Sequence, residues 1–155
     1  MKRTTLFSST VLLGLTLGLV PPALHAASDD AIEAMEDYLM FADYGGGTIR
    51  AEQIPAEDWE RFLIVDARDA GQFEAEHIPG AINIEWRQIL EARSELPSDR
   101  PILLYCNSGT LSAQAGFALR VAGMDNVRIL QGGIQEWQQS GGFEANQRAL
   151  ERAAQ

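Results

Sequence analysis

The strongest constraint on this chain's fold is a set of four short, mostly apolar runs separated by helix-like segments. The runs are Phe62-Leu63-Ile64-Val65, Ala81-Ile82-Asn83-Ile84, Pro101-Ile102-Leu103-Leu104-Tyr105 and Val127-Arg128-Ile129-Leu130. They are continuous rather than alternating, which suits strands covered on both faces, as in a parallel sheet. Between them, Asp69 to about Glu76 opens with Asp69 and Gln72 three apart, a capping-box-like pair. Ser112 to Ala122 closes on Gly123, a favourable C-terminal glycine. Gly133 to Gln139 is stopped by Ser140-Gly141-Gly142. Strand alternating with helix predicts a three-layer α/β/α sandwich whose core begins at Thr48.

The 155 residues amount to about one domain, long enough to bury a sizeable core. The segment before that core reads as an address. Lys2 and Arg3 precede a mostly apolar stretch from Leu6 to Val20, then Pro21-Pro22 and the small residues around Ala26 and Ala27. That order is expected of a cleaved secretory signal over residues 1–26, making the protein exported, periplasmic or secreted. The stretch is shorter than the ~20 apolar residues of a membrane span, so the mature chain is expected to carry none. Ser28 to about Ala42 is predicted as an amphipathic helix, with Ser28 as N-cap and Ile32, Met35, Leu39 and Ala42 on one stripe. Gly45-Gly46-Gly47 makes a flexible joint, so residues 28–47 form an appendage to a domain over 48–142. Residues 143–155 are read as a C-terminal tail.

Charge narrows the function. There are 22 acidic residues against 12 basic ones, a formal net charge of −10. Loss of Lys2 and Arg3 leaves 10 bases against the same 22 acids, a net −12. A nucleic-acid partner, which needs a basic footprint, is therefore not expected. The sole cysteine, Cys106, rules out an internal disulfide, a Cys-x-x-Cys pair and a cysteine-built zinc site. Without the signal, His77 is the only histidine.

Cys106 directly follows the strongest strand signal and opens the segment Cys106-Asn107-Ser108-Gly109-Thr110-Leu111-Ser112. Ligands of open α/β sheets bind at the carboxyl ends of strands. A short loop curling into a helix start aims several backbone N–H groups at one spot. A thiolate there is stabilised without a neighbouring base, where a free thiol has a pKa of about 8.5. A lone cysteine at a strand end is often only a small buried hydrophobe. Here the flanks are small and polar, and an exported chain keeping one unpaired thiol exposes it to oxidation. The chemistry requires a sulfur that is ionised near neutrality and still in contact with water.

Taken in order, Val65-Asp66-Ala67-Arg68-Asp69, Phe73-Glu74, His77-Ile78-Pro79-Gly80-Ala81-Ile82-Asn83-Ile84, Tyr105-Cys106-Asn107-Ser108-Gly109 and Leu130-Gln131-Gly132-Gly133 with Trp137 resemble a rhodanese (sulfurtransferase) domain from about Thr48 to Gly142. Size and export signal are similar to single-domain periplasmic rhodaneses of the phage-shock type. The resemblance implies a five-stranded parallel sheet flanked by helices. It also implies that Cys106 takes a sulfane sulfur as a persulfide and passes it on. The donor would be a small sulfur-containing anion such as thiosulfate, and the acceptor cyanide, a thiol or a protein. No cofactor or metal is called for, and the oligomeric state is left open. Amides from Asn107 to Ser112, through Ser108, Gly109, Thr110 and Leu111, would hold the persulfide charge as oxyanion-hole donors do. The hydroxyls of Ser108, Thr110 and Ser112 offer further donors, with capping of the helix an equal use for them. By resemblance, Asp66 and Arg68 brace the loop. His77 is read as a turn residue and Arg87 as a solvated arginine lying along apolar surface.

One departure stands out. Many thiosulfate-using relatives carry a cation in this loop, and none lies between Asn107 and Ser112. Thiosulfate is therefore expected to bind weakly unless Arg68 or Arg87 compensates for the acidic chain. Phosphatases and arsenate reductases with a Cys-x5-Arg loop share this fold, but the sixth residue after Cys106 is Ser112. The competing function of a different class is a non-catalytic or redox-sensing module that uses Cys106 as a reactive thiol.

Overall fold

The computed structural model describes residues 27–142; the expected signal segment and the expected C-terminal tail lie outside the described residues. Five strands, β1 (Thr48–Ile49), β2 (Leu63–Asp66), β3 (Ile82–Asn83), β4 (Ile102–Tyr105) and β5 (Val127–Leu130), form one sheet in the order β1-β5-β4-β2-β3. Every pairing is parallel, with Val65 opposite Leu104, Asp66 opposite Tyr105 and Leu104 opposite Ile129. The expected sandwich is the one observed. The four apolar runs are β2 to β5, and the fifth strand is the two-residue edge β1 at Thr48.

Alternate residues of the central strands feed two separate cores, which is why these runs are mostly apolar. Ile64, Leu103, Tyr105 and Leu130 pack on one face with Trp59, Ile78, Ile134 and Trp137. Val65, Ile102, Leu104 and Val127 pack on the other with Ile89, Leu96, Ala115 and Leu119. Helices α2 (Ala70–Ala75), α3 (Thr110–Val121) and α4 (Gly133–Gln139) follow β2, β4 and β5 respectively. The Asp69 carboxylate caps α2, accepting from the Gln72 amide at 3.0 Å. Short 3₁₀ segments of one or two turns at Ala51–Gln53, Ala56–Arg61, Trp86–Gln88 and Ala92–Glu95 complete the connections. Such short turns leave no periodic signal for sequence reading to catch.

Two expectations are corrected. Helix α3 starts at Thr110 rather than Ser112, with Gly109 as its N-cap at φ 101°. A left-handed glycine turns the chain into the helix at once, so Ser112 lies inside it, buried, and caps nothing. Helix α1 (Asp29–Phe41) forms with Ser28 as its cap, but its predicted stripe turns inward only in part, with Met35 and Ala42 half-buried. Leu39 is 66% exposed and Ile32 is exposed too, while Tyr38 lies edge-on against Phe117 of α3, beneath the Arg120 guanidinium. An aromatic ring gains more from that seat than leucine does, and helical spacing alone does not select which apolar stripe turns inward.

Candidate active site

Strand β4 delivers Cys106 to the carboxyl edge of the sheet, and the chain curls through Asn107-Ser108-Gly109 into α3. The Gly109 amide donates to Cys106 Sγ at 3.2 Å. The Ser112 hydroxyl lies 3.6 Å from the sulfur and 3.0 Å from the Gly109 carbonyl, so its one proton serves two acceptors. Burial pushes the thiol pKa up. The Ser112 amide and hydroxyl, together with the Ser108 and Gly109 amides, more than offset this and hold it below the ordinary value. Cys106 is buried, with 2% of its surface accessible, so the open contact with water expected from its polar flanks is not observed.

Behind the loop sits a buried ion pair. Arg68 Nη2 donates to Asp66 Oδ2 at 2.6 Å and Nε to Oδ1 at 2.9 Å, with the residues 6% and 0% exposed. The same guanidinium donates to the Glu76 carbonyl at 2.7 Å and to Asn107 Oδ1 at 3.3 Å. It thus ties β2, the end of α2 and the residue after the cysteine together. The Asp66 carboxylate holds the Arg68 pKa above its ordinary value, against the opposing effect of burial. Tyr105 fills the space below. Its hydroxyl accepts from the Ile78 amide at 3.1 Å, and burial, aided by Asp66, pushes its pKa up. Asn83 of β3 locks the strand end by donating to the Asp66 and Arg68 carbonyls.

Helix α4 holds the loop from its far side. The Ile134 and Gln135 amides donate to the carbonyls of Cys106 and Asn107 at 2.9 and 3.2 Å. This approach needs a glycine at position 133, where φ is +59° and a Cβ would lie 2.3 Å from the Cys106 carbonyl oxygen.

Of the loop residues expected to bind substrate, Ser108, Gly109 and Ser112 present amides to the sulfur. The Asn107 side chain is turned into the brace, where its Nδ2 donates to Gln72 Oε1 at 2.7 Å. The Ser108 and Thr110 hydroxyls are exposed and bond each other at 3.3 Å, and Leu111 is half-buried. His77 Nδ1 bonds the Phe73 carbonyl and its ring stacks on Phe73, as befits a turn residue. Arg87 pairs with Glu85, lies over the Trp86 ring and is 71% exposed in its side chain. Of the two arginines offered as compensation for the missing loop cation, Arg68 is committed to its buried pair with Asp66, whereas Arg87 keeps a largely exposed guanidinium in a surface pair with Glu85. The bracing parts of Gln72, Asn83 and the Glu76 carbonyl were missed in the sequence. Only the Asp69–Gln72 spacing hinted at one, and it pointed to capping. Among the described residues no three His, Cys, Asp or Glu side chains converge as a metal site would require, and no helix is long and apolar enough to cross a membrane.

Comparison with known proteins gives one answer. The family model described as Rhodanese-like domain matches residues 51–140. The chain is 37% identical over 84 residues to a protein named Sulfurtransferase from Allochromatium vinosum, covering 54% of this chain and 78% of that one. It is 32% identical over 90 residues to YqhL of Bacillus subtilis, an uncharacterized protein, covering 58% of this chain and 71% of that one. Against the probable adenylyltransferase/sulfurtransferase MoeZ of Mycobacterium tuberculosis, however, it spans only 27% of the relative's length. Among solved structures, a rhodanese-like domain from Anabaena superposes with a TM-score of 0.56 at 30% identity, covering 62% of this chain and 76% of that one. A rhodanese-related protein from Thermoplasma volcanium gives 0.57 at 27% identity, covering 61% and 93%. With more than half its length matched by the family model, this chain belongs to the rhodanese-like domain family.

Proposed function

We propose that the protein is a sulfurtransferase that carries a sulfane sulfur on Cys106. The Cys106 thiolate attacks the outer sulfur of a donor such as thiosulfate. The S–S bond to the sulfonate breaks, sulfite leaves with the electron pair, and Cys106 becomes a persulfide anion. An acceptor, cyanide or a thiolate, then attacks the outer persulfide sulfur and regenerates the thiolate, a ping-pong scheme. The observation that carries this reading is the Gly109 amide 3.2 Å from Sγ, within a ring of α3 N-terminal donors that lower the thiol pKa. The same donors suit the charge of the persulfide. Asp66 and Arg68 keep the loop in place and do not touch the donor.

The apolar, uncharged stretch from Leu6 to Val20 behind Lys2 and Arg3 supports export to the periplasm or beyond. The test is intact-protein mass after incubation with thiosulfate. A gain of one sulfur atom, absent in Cys106→Ser and discharged by cyanide, is expected. Oxygen adducts alone, with no sulfur gain, would return the thiol to a redox-sensing role.

A further inference from the structure

The second side-chain connection to the loop involves a residue that sulfur chemistry does not touch. Asn107, immediately after Cys106, has both ends of its amide engaged: Oδ1 accepts from Arg68 Nη1 at 3.3 Å and Nδ2 donates to Gln72 Oε1 at 2.7 Å. Gln72 is engaged at both ends as well, because its Nε2 donates to the Asp69 carboxylate. The result is a chain of four side chains, Arg68 to Asn107 to Gln72 to Asp69. Its direction is set at the ends. A guanidinium can only donate and a carboxylate can only accept, so each amide between them has one satisfying orientation. Asp69 is itself fixed, since its Oδ1 caps α2 by accepting from the Gln72 amide. Helix α2 is thereby coupled to the backbone that presents amides to the sulfur.

We propose that Gln72 is a positioning residue for the Cys106 loop: by accepting from Asn107 Nδ2 while anchored to Asp69, it holds the residue after the cysteine where the amides of Ser108 and Gly109 converge on Sγ. The proposal rests on Cys106 being the sulfur carrier but concerns only the geometry of its loop. Gln72 is half-buried and touches no reacting atom. It therefore acts through Asn107, and its loss acts on how well the sulfur is ionised and presented.

Directionality makes the test discriminating. Gln72→Met keeps the volume and removes both bonds. Gln72→Glu keeps an acceptor for Asn107 but sets a second carboxylate against Asp69. The readout is the pH profile of Cys106 alkylation by iodoacetamide, measured beside thermal unfolding of each variant. For Gln72→Met, alkylation at pH 7 is expected to slow several-fold, up to about tenfold, the range one ordinary hydrogen bond commands. The profile should move to higher pH. Gln72→Glu is expected to slow less than Gln72→Met at neutral pH, because the bond to Asn107 survives while the anchor to Asp69 is lost. An α2 effect without loop positioning would lower the unfolding temperature and leave the profile in place, and that result overturns the proposal. So does a Gln72→Glu profile displaced as far as that of Gln72→Met. Should Gln72→Met fail to fold, Gln72→Ala at reduced temperature gives the same comparison. Persulfide mass is recorded on the unmodified protein in parallel. Its absence would sink the sulfurtransferase reading, while the alkylation profiles still decide the part played by Gln72.

Discussion

Replacing Gly133 with alanine tests whether α4 is what holds the cysteine loop. At φ +59° an alanine is strained by about 1–2 kcal/mol. Its Cβ would also sit 2.3 Å from the Cys106 carbonyl oxygen and 2.7 Å from the Asn107 carbonyl carbon, both backbone atoms that cannot swing aside. Relieving the contact to beyond 3.0 Å lengthens the Ile134 bond, now 2.9 Å, and the Gln135 bond, now 3.2 Å, out of effective range. Two such bonds are worth about 0.5–1.5 kcal/mol each. Lower chain entropy in the unfolded alanine variant returns about 0.4–1 kcal/mol. The net loss is therefore about 1–4.6 kcal/mol, centred near 3. Gly109→Ala is the comparison: it is also left-handed, at φ +101°, but its Cβ would meet nothing closer than 3.6 Å. That variant should lose only about 1 kcal/mol, strain less entropy. Urea unfolding followed by tryptophan fluorescence measures both, and Cys106 alkylation reports on the loop. If Gly133→Ala is no less stable than Gly109→Ala and its thiol reacts at the parent rate, α4 does not hold the loop and the argument fails.

Ser112→Ala removes the hydroxyl facing Sγ. The lowered thiol pKa means the thiolate is lost as pH falls through a value below that of a free thiol, so the variant's alkylation midpoint should move up. Rates should fall several-fold at pH 7 and match the parent at pH 10; parallel profiles at both pH values would exclude the hydroxyl as a stabiliser. Arg68→Met leaves the Asp66 carboxylate buried without its partner and is expected to cost about 3–5 kcal/mol by urea unfolding, against ~0–1 kcal/mol for an exposed pair. A loss below 1 kcal/mol contradicts the brace. For thiosulfate, the missing loop cation and the acidic chain predict a KM above about 1 mM, the top of the common range. Added salt should lower that KM by screening the repulsion; a submillimolar KM at moderate salt, unmoved by ionic strength, refutes the charge argument.

Much of the site was legible because its parts are local. Cys106 at a strand end, small polar residues after it and Gly109 at the turn are adjacent in the chain, and their meaning follows from strand-loop-helix geometry. Asp69 as the α2 cap was legible for the same reason. The connections across the sheet were not. Gln72 meets Asn107 across 35 residues and Asn83 meets Asp66 across 17, and only the parallel register of β2 with β3 and β4 brings them together. Ile32 and Leu39 of the α1 stripe were misjudged because the Phe117 seat that selects Tyr38 belongs to another helix.

By itself, then, the sequence determined the layered architecture and which residue is the one thiol available to the proposed chemistry. Mostly apolar runs demand cover on both faces, and a single cysteine leaves no other thiol to do the work. Tertiary structure alone decided how enclosed that sulfur is, which side chains hold its loop, and that Arg68 is already committed to Asp66. Those properties depend on distances between residues far apart in the chain, and such distances exist only once the sheet has set its register.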